Sequence, residues 1–329
     1  GIGAAALTYA ATPKFDGGSF ANEAFTQQQM LRSPVEPRRG IYGRAMVSGP
    51  LVFAEETGAD NAYLHLVIPL AGHRCDGVEK IYFGDDVAWA NGALTSKYAS
   101  VARLKVHLGN QTTSDPDLTA ECRQWTSAHV GFGVTYLYAR LKFDTKVFPN
   151  GVPNIKALVR GKQVYDPRKN THNWEEPTTW EWSDNWALCC LDYNRFESGV
   201  GAAAHEIDVS YFAAAANDSD QLVEYKTGKF EKRYTCNGTY NQDVSPSSIM
   251  EKMLTAGAGM HVYVSGQYRL YAGVYQGPEV LVLTEDDAAG DIDVRPYTPR
   301  AELCNAVRGT FVDPENFYQP TDFPPYESS

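Results

Sequence analysis

VTYLYARLKFD, residues 134–144, sets Leu137, Ala139 and Leu141 at alternate positions with Tyr136, Tyr138 and Arg140 between them. A period of two marks a strand with two unlike faces, one of them suited to a core. VARLKVHLG at 101–109 alternates in the same way. Working outward, IYGRAMVSGPLVFAEE at 41–56 reads as two short strands around Ser48-Gly49-Pro50, and NAYLHLVIPLAGH at 61–73 begins as an alternating strand. KIYFGDDVAW at 80–89 reads as a hairpin turning at Gly84-Asp85-Asp86, and NIKALVRGKQVYD at 154–166 turns at Arg160-Gly161-Lys162. That predicts about seven or eight strands between residues 40 and 166, a β-rich domain.

From Pro167 the pattern changes. THNWEEPTTWEW at 171–182 is a loop bearing proline and tryptophan. SDNWALCCLDYNRF at 183–196 opens with Ser183 as the expected N-cap of an apolar helix. A second helix is expected within EIDVSYFAAAANDSDQLVE at 206–224. SPSSIMEKMLTAGAG at 245–259 predicts a third, with Ser245 as N-cap, Pro246 at the first position and glycines at its end. MHVYVSGQYRLYAG at 260–273 predicts a hairpin with Ser265-Gly266 as its turn. VLVLTEDD at 280–287 and AVRGTFV at 306–312 supply further strands. The fold class is α+β and β-rich.

The two ends read differently. Residues 1–37 form an expected arm, with Phe15, Phe20 and Phe25 at five-residue intervals that match neither helix nor strand. NAVRGTFVDPENFYQPTDFPP at 305–325 strings Phe317, Tyr318 and Phe323 among four prolines. Aromatics left in water cost free energy, so both segments are expected to lie against a neighbouring surface, with these six residues as candidate interface contacts. No apolar run is long enough to cross a bilayer, and GIGAAALTYAA at 1–11 is about half the required length.

Chemistry-bearing patterns are weak. The 329 residues carry a formal net charge of −11, which opposes gripping nucleic acid by phosphate neutralisation. GIGAAA at 1–6 and GVGAAA at 199–204 imitate a dinucleotide fingerprint without its strand-turn-helix setting, so no cofactor is expected. Asp85-Asp86 and Glu285-Asp286-Asp287 read as turn residues rather than as an acid/base pair. His65, His73 and Cys75 lack a fourth ligand for zinc, and no metal site is expected. The cysteines at 75, 122, 189, 190, 236 and 304 show no CxxC spacing and read as reduced core residues. Asn110, Asn217 and Asn237 match the short glycosylation acceptor pattern, at a level that chance supplies. Trp174, Trp180 and Trp182 admit a sugar-stacking reading beside the plainer one of burial between domains.

Six blocks in order resemble one family. They are residues 41–86 (IYGRAMVSGPLVFAEE through KIYFGDD), 137–168 (LYARLKFD through VYDPR), WSDNWALCCLDY, EIDVSYFAAAANDSD, KRYTCNGTYNQDVSPSSIMEKMLTAGAGM and NAVRGTFVDPENFYQPTDFPP. Together they resemble the central tail-tip or hub protein of long, non-contractile-tailed bacteriophages, the group that includes the host-specificity protein of lambda-like phages and the hub of gene transfer agents. The resemblance implies a structural virion protein without enzymatic activity, assembled in the host bacterial cytoplasm. It implies a homotrimer that closes the tail tube and opens for genome ejection. Its partners would be the distal tail protein ring, other tail-tip proteins and the tape measure protein. DNA would pass through without specific binding, and the host envelope would be met indirectly or through C-terminal parts beyond this chain. It further implies a tube-like β-sandwich or barrel hub domain at 38–166, a mixed α/β hub domain at 167–312 and an extended Pro/aromatic segment at 313–329. The alternative is a tail-associated glycan-binding or cell-wall-degrading protein.

Overall fold

The computed structural model describes residues 36–275, then 305–323, 325–327 and isolated positions between 277 and 297. These divide into two compact units, one running to Leu281 and one from Val282 onward.

In the first unit the alternating segments become two facing sheets. β1 (Arg39–Tyr42), β2 (Arg44–Val47), β3 (Phe53–Thr57), β4 (Tyr63–Ala71), β5 (Gly77–Phe83), β6 (Asp86–Ala90), β7 (Ala93–Leu94), β8 (Ala102–Leu108), β9 (Thr135–Lys142), β10 (Ile155–Arg160) and β11 (Gln163–Val164) follow one another. One sheet has the order β2-β10-β5-β6-β7 and the other β3-β4-β9-β8, and every pairing is antiparallel. β9 lies between β4 and β8, and its two faces are both used. Leu137, Ala139 and Leu141 join Leu66, Ile68, Val47, Ile81 and Val159 in the core between the sheets. Tyr136 and Tyr138, on the opposite face, pack with Val67, Leu118 and Cys122. Leu118 comes from α1 (Pro116–Glu121), whose N-cap Asp115 accepts hydrogen bonds from the amides of Asp117 and Leu118. The short helix thus covers the outer face of β9, and the strand is buried on both sides.

A second core gathers residues 164–274 together with Tyr42. α2 (Trp186–Arg195) is buried from Trp186 through Asn194, with polar Asp192 and Asn194 among the buried residues. Its N-cap is Asn185 rather than Ser183. The Asn185 side chain accepts from the Leu188 amide, while Ser183 Oγ only receives the Asn185 amide. α3 (Val209–Asp220) and α4 (Pro246–Ala256) pack on α2, and α4 starts at Pro246 with Ser245 as its cap. β12 (Glu181–Trp182) pairs with β11. β13 (Leu222–Lys226) with β14 (Lys229–Lys232) and β16 (Met260–Val264) with β17 (Gln267–Tyr271) form two hairpins. β15 (Gly238–Asn241) pairs with β1, so β1 stands between the two cores, with Ile41 in the first and Tyr42 in the second.

The second unit pairs β18 (Ala306–Val307) with β21 (Tyr326–Glu327) and β19 (Thr310–Asp313) with β20 (Gln319–Asp322). DPENFYQPTDFPP therefore does not run extended throughout. It turns through Pro314–Asn316 and returns as β20, because the loop places Phe317 and Tyr318 in the left-handed region at φ 52° and 59°. Half of VLVLTEDD lies outside the described residues, and positions 281, 282, 284 and 287 within it are not in a strand.

Candidate functional site

One group of buried ionisable side chains in the first unit lies where its two cores meet. Lys162, in the turn after β10, and Asp192, on α2, form an ion pair at 3.2 Å with side chains 11% and 9% exposed. Tyr42 Oη donates to the same Asp192 oxygen at 2.6 Å, and Tyr42 stacks on Tyr240, with ring centroids 5.6 Å apart. Burial, then the Asp192 charge, raises the Tyr42 phenol well above its ordinary value. Desolvation alone would lower the Lys162 ammonium, but the attraction of Asp192 and Tyr240 outweighs it and the net direction is upward. The ammonium also lies 3.8 Å from the centroid of the Phe196 ring.

His73 lies beside this pair. Its Nε2 accepts from the Ile41 amide at 2.9 Å, which leaves Nδ1 to donate to the Arg74 carbonyl at 2.7 Å. Burial, reinforced by Lys162, pushes His73 down to about 4 from 6.5. The unfolded chain takes up a proton as pH falls through 6.5, whereas the folded chain does not until about 4. The associated stability is complete above pH 6.5 and is lost progressively as pH falls toward 4, a span worth up to ~3 kcal/mol. His73→Gln is therefore expected to flatten the pH dependence of the unfolding midpoint in that window, measured against the unaltered chain. An unchanged slope would refute this.

A cleft of about 350 Å³ opens at this junction, lined by His73, Lys162, Trp180, Asp192, Arg195 and Phe196 among others. Arg195 is clamped between Trp174 and Trp180, its guanidinium 4.1 and 4.4 Å from their centroids, and Nη2 donates to the Trp174 carbonyl at 2.8 Å. Trp182 lies under Arg44 and Arg160 at 5.4 and 5.8 Å. The tryptophans that the sequence offered for sugar stacking thus present faces to guanidinium groups.

The other sequence candidates are dispersed. Asp85 pairs with Lys156, and Asp86 with Lys97 and Tyr98. Asp287 accepts from the Thr284 amide, while Glu285 and Asp286 lie outside the described residues. His65 is a core histidine bonded to Thr57 and Tyr138 at 2.7 and 2.9 Å. Residues 199–204 follow a helix with no strand before them. No three His, Cys, Asp or Glu residues converge on a metal position among the described residues. Cys75, Cys122, Cys189, Cys190 and Cys236 are free and buried, and burial pushes the Cys75 and Cys122 thiols up to about 12. Cys304 lies outside the described residues.

Of the six aromatic interface candidates, Phe15, Phe20 and Phe25 also lie outside the described residues. Phe317 is exposed, Tyr318 is half-buried, and the Phe323 ring approaches Gly309 so closely that a β-carbon there would sit 2.6 Å from it. The sequence did not single out three hairpins that leave large apolar groups in water: Leu222, Tyr225 and Phe230 on β13-β14, Met260, Tyr263 and Val264 on β16, and Phe311 and Val312 on β19. The detectable signal was apolar content in two-stranded elements that have no sheet to lie on.

No protein-family model matches the chain. It is 26% identical over 194 residues to the tip attachment protein J of Escherichia phage SECphi27, an alignment covering 54% of this chain and 16% of that protein. The chain therefore spans about one sixth of the length of that relative. In fold it is similar to a chain in the virion of a native gene transfer agent particle, with a TM-score of 0.54, 17% identity, and coverage of 92% of this chain and 67% of that one. No helix among the described residues is long and apolar enough to cross a membrane. The chain is thus similar in sequence to part of a phage tip attachment protein, and similar in fold to a chain of a gene transfer agent virion.

Proposed function

We infer that the chain is the central hub of a tail tip, a homotrimer that closes the tail tube and opens for the tape measure protein and DNA. The observation that carries this reading is the fold likeness, which runs over 92% of the chain rather than over one domain of it. In this reading residues 38–166 are the tube-like hub domain and 167–312 the mixed α/β hub domain. Residues 1–37 and 313–329 reach onto neighbours, among them the distal tail protein ring, with Phe15, Phe20, Phe25, Phe317, Tyr318 and Phe323 as contacts. The net charge of −11 suits a conduit to which DNA does not adhere. The role is structural rather than enzymatic. The glycan-binding alternative finds no support in Trp174 and Trp180, whose rings hold Arg195.

A reconstruction of the particle should place three copies around the tail axis at the tip. A single copy, or a position off the axis, would exclude the hub. Phe230, exposed on β14, offers a second measurement. Phe230→Glu is expected to leave the folded chain within about 0.5 kcal/mol of its unaltered stability, because an exposed site has little to lose. It should nevertheless reduce incorporation of the chain into particles. Full incorporation would remove the β13-β14 hairpin from the assembly surface.

A further inference from the structure

The sheet β3-β4-β9-β8 turns one face away from the sandwich core, and its register sets four ionisable side chains there in a line. Glu55 on β3 lies opposite His65 on β4, His65 opposite Arg140 on β9, and Arg140 opposite Arg103 on β8. Two guanidiniums directly opposite each other repel. Glu121, at the end of α1, lies over the row and bridges them: Oε1 is 2.6 Å from Arg103 Nη1, and Oε2 is 2.9 Å from Arg140 Nη1. Glu121 Oε2 is also 3.8 Å from His65 Nε2. Asp117 pairs with Lys105 and with Arg103, both at 2.8 Å, and Asp115 with His107 at 2.9 Å. At the other end of the row, Glu55 accepts from the Arg123 and Gln124 amides at 2.7 and 3.0 Å.

All three acids facing β8 and β9 belong to the connection between those strands. Within its residues 110–133 only Asp115, Leu118 and Cys122 are buried, with Trp125 half-buried against Phe53. The ion pairs of Asp117 and Glu121 are partly open to solvent, and such pairs are individually weak. Many small charge contacts and little apolar burial characterise a segment that opens locally while the rest stays folded. Its ends are tied together, since the Gly133 amide donates to the Gly109 carbonyl at 3.0 Å and Gln111 Nε2 to the Val134 carbonyl at 3.0 Å.

His65 lies beneath this segment with its side chain 0% exposed. The groups facing it are Glu55 and Thr57 from β3, Arg140 and Tyr138 from β9, Arg103 from β8 and Glu121 from α1. Burial, aided by the two guanidiniums and opposed by the two carboxylates, lowers His65 below its ordinary 6.5. Uncharged His65 therefore favours the closed segment fully above pH 6.5, and that contribution is lost as pH falls through the lowered value. Desolvation would raise Glu121 and Asp115, but their hydrogen-bond partners outweigh it and hold them below 4.5 and 3.8. Both acids thus stay charged while His65 titrates.

We propose that residues 110–133 are a strap that mild acid lifts from the outer face of the sandwich, with His65 taking up the proton and Glu121 as the contact that gives way. Protonated His65 adds a third positive charge to a row in which Arg140 and Arg103 already share one carboxylate. It reaches water when α1 leaves. Departure of α1 uncovers Phe53, Val67, Tyr136 and Tyr138, the surface on which Leu118 and Cys122 pack.

Cys122 reports the opening, because its thiol is buried under the end of α1. Dithiodipyridine, which reacts with thiols in acid as well as at neutral pH, is added to the folded full-length chain. The rate at each cysteine is divided into that of the denatured chain at the same pH, which gives its protection. Between about pH 7.5 and about pH 5, protection of Cys122 should fall at least about threefold. Cys189 and Cys190, in the second core, should stay at least about tenfold better protected than Cys122 at both values. His65→Gln should remove the fall, and Glu121→Gln should expose Cys122 already at about pH 7.5. Unchanged Cys122 protection in acid, the same fall in His65→Gln, or full protection in Glu121→Gln overturns the proposal. So does equal protection of all three cysteines, which would mean global unfolding. If a variant does not fold, hydrogen exchange on the unaltered chain decides. The Leu118 and Cys122 amides, corrected for intrinsic rate, must begin to exchange faster than those of β9 as pH falls below 6.5. An onset only below 4.5 would assign the opening to the carboxylates and overturn the role of His65.

Discussion

Asp192→Ala lowers the unfolding free energy by about 3–5 kcal/mol, read as a shift of the denaturant midpoint at neutral pH. The loss exceeds the worth of one ion pair because two groups are stranded together. Lys162 keeps its charge in a site where its side chain is 11% exposed, and Tyr42 Oη loses the acceptor it holds at 2.6 Å. The phenol is buried and the ammonium keeps only Tyr240 and the Phe196 ring beside it, so most of the desolvation cost of each is left uncompensated. Replacing both charges with apolar residues of similar size, Lys162→Met with Asp192→Leu, should recover most of that loss, since a well-packed apolar pair is often as stable as a buried ion pair. A single Asp192→Ala effect below about 1 kcal/mol would mean that the pair is hydrated in solution.

Trp186→Ala is the second large effect, at about 3–5 kcal/mol. The ring is fully buried at the start of α2, and its Nε1 donates to the Met253 carbonyl at 2.6 Å. Gly257 and Gly259 approach the ring so closely that a β-carbon on either would sit 2.2 Å from it. Gly257→Ala alone should therefore cost about 1–3 kcal/mol by overpacking. With the ring removed, the added methyl enters the vacated space. Gly257→Ala should then cost little in the Trp186→Ala background, a coupling that a double-mutant cycle measures directly. Additive losses would show that the glycine is constrained by something other than the tryptophan.

The elements that could be read from the sequence are those whose local pattern and tertiary setting agree. β9 alternates because both of its faces are buried against unlike partners, the β-sandwich core and α1. α4 announces itself through Ser245 and Pro246, and the β16-β17 hairpin through Ser265-Gly266. The cap of α2 was misplaced by two residues because Ser183 and Asn185 are both good cap formers. Tertiary structure decided between them, since Asn185 Nδ2 also donates to the Ala216 carbonyl at 2.9 Å, on α3. The proline-rich tail segment was read as extended, yet proline is equally at home on the edge of a hairpin, where β20 places Pro320.

The site was less legible for a different reason. Tyr42 and Asp192 stand 150 residues apart, and Lys162 and Asp192 stand 30 apart, so no local period links them. The exposed apolar residues of β13 and β16 resemble those of any amphipathic strand, since sequence shows which residues share a face but not whether another chain covers it. The tryptophan loop gave the right residue types, but their partner Arg195 belongs to α2.

β1 has a mechanical consequence. Ile41 and Tyr42 are neighbours on one strand that enter opposite cores, and the strand is laced to β15 over four antiparallel pairs. A pull on the preceding chain, directed along the strand axis, meets those pairs in shear, so they must yield together rather than unzip in turn. The same pull drags at both hydrophobic clusters in parallel. Tension arriving at residue 38 cannot extract Ile41 without also loading Tyr42, and the two cores resist it as one body.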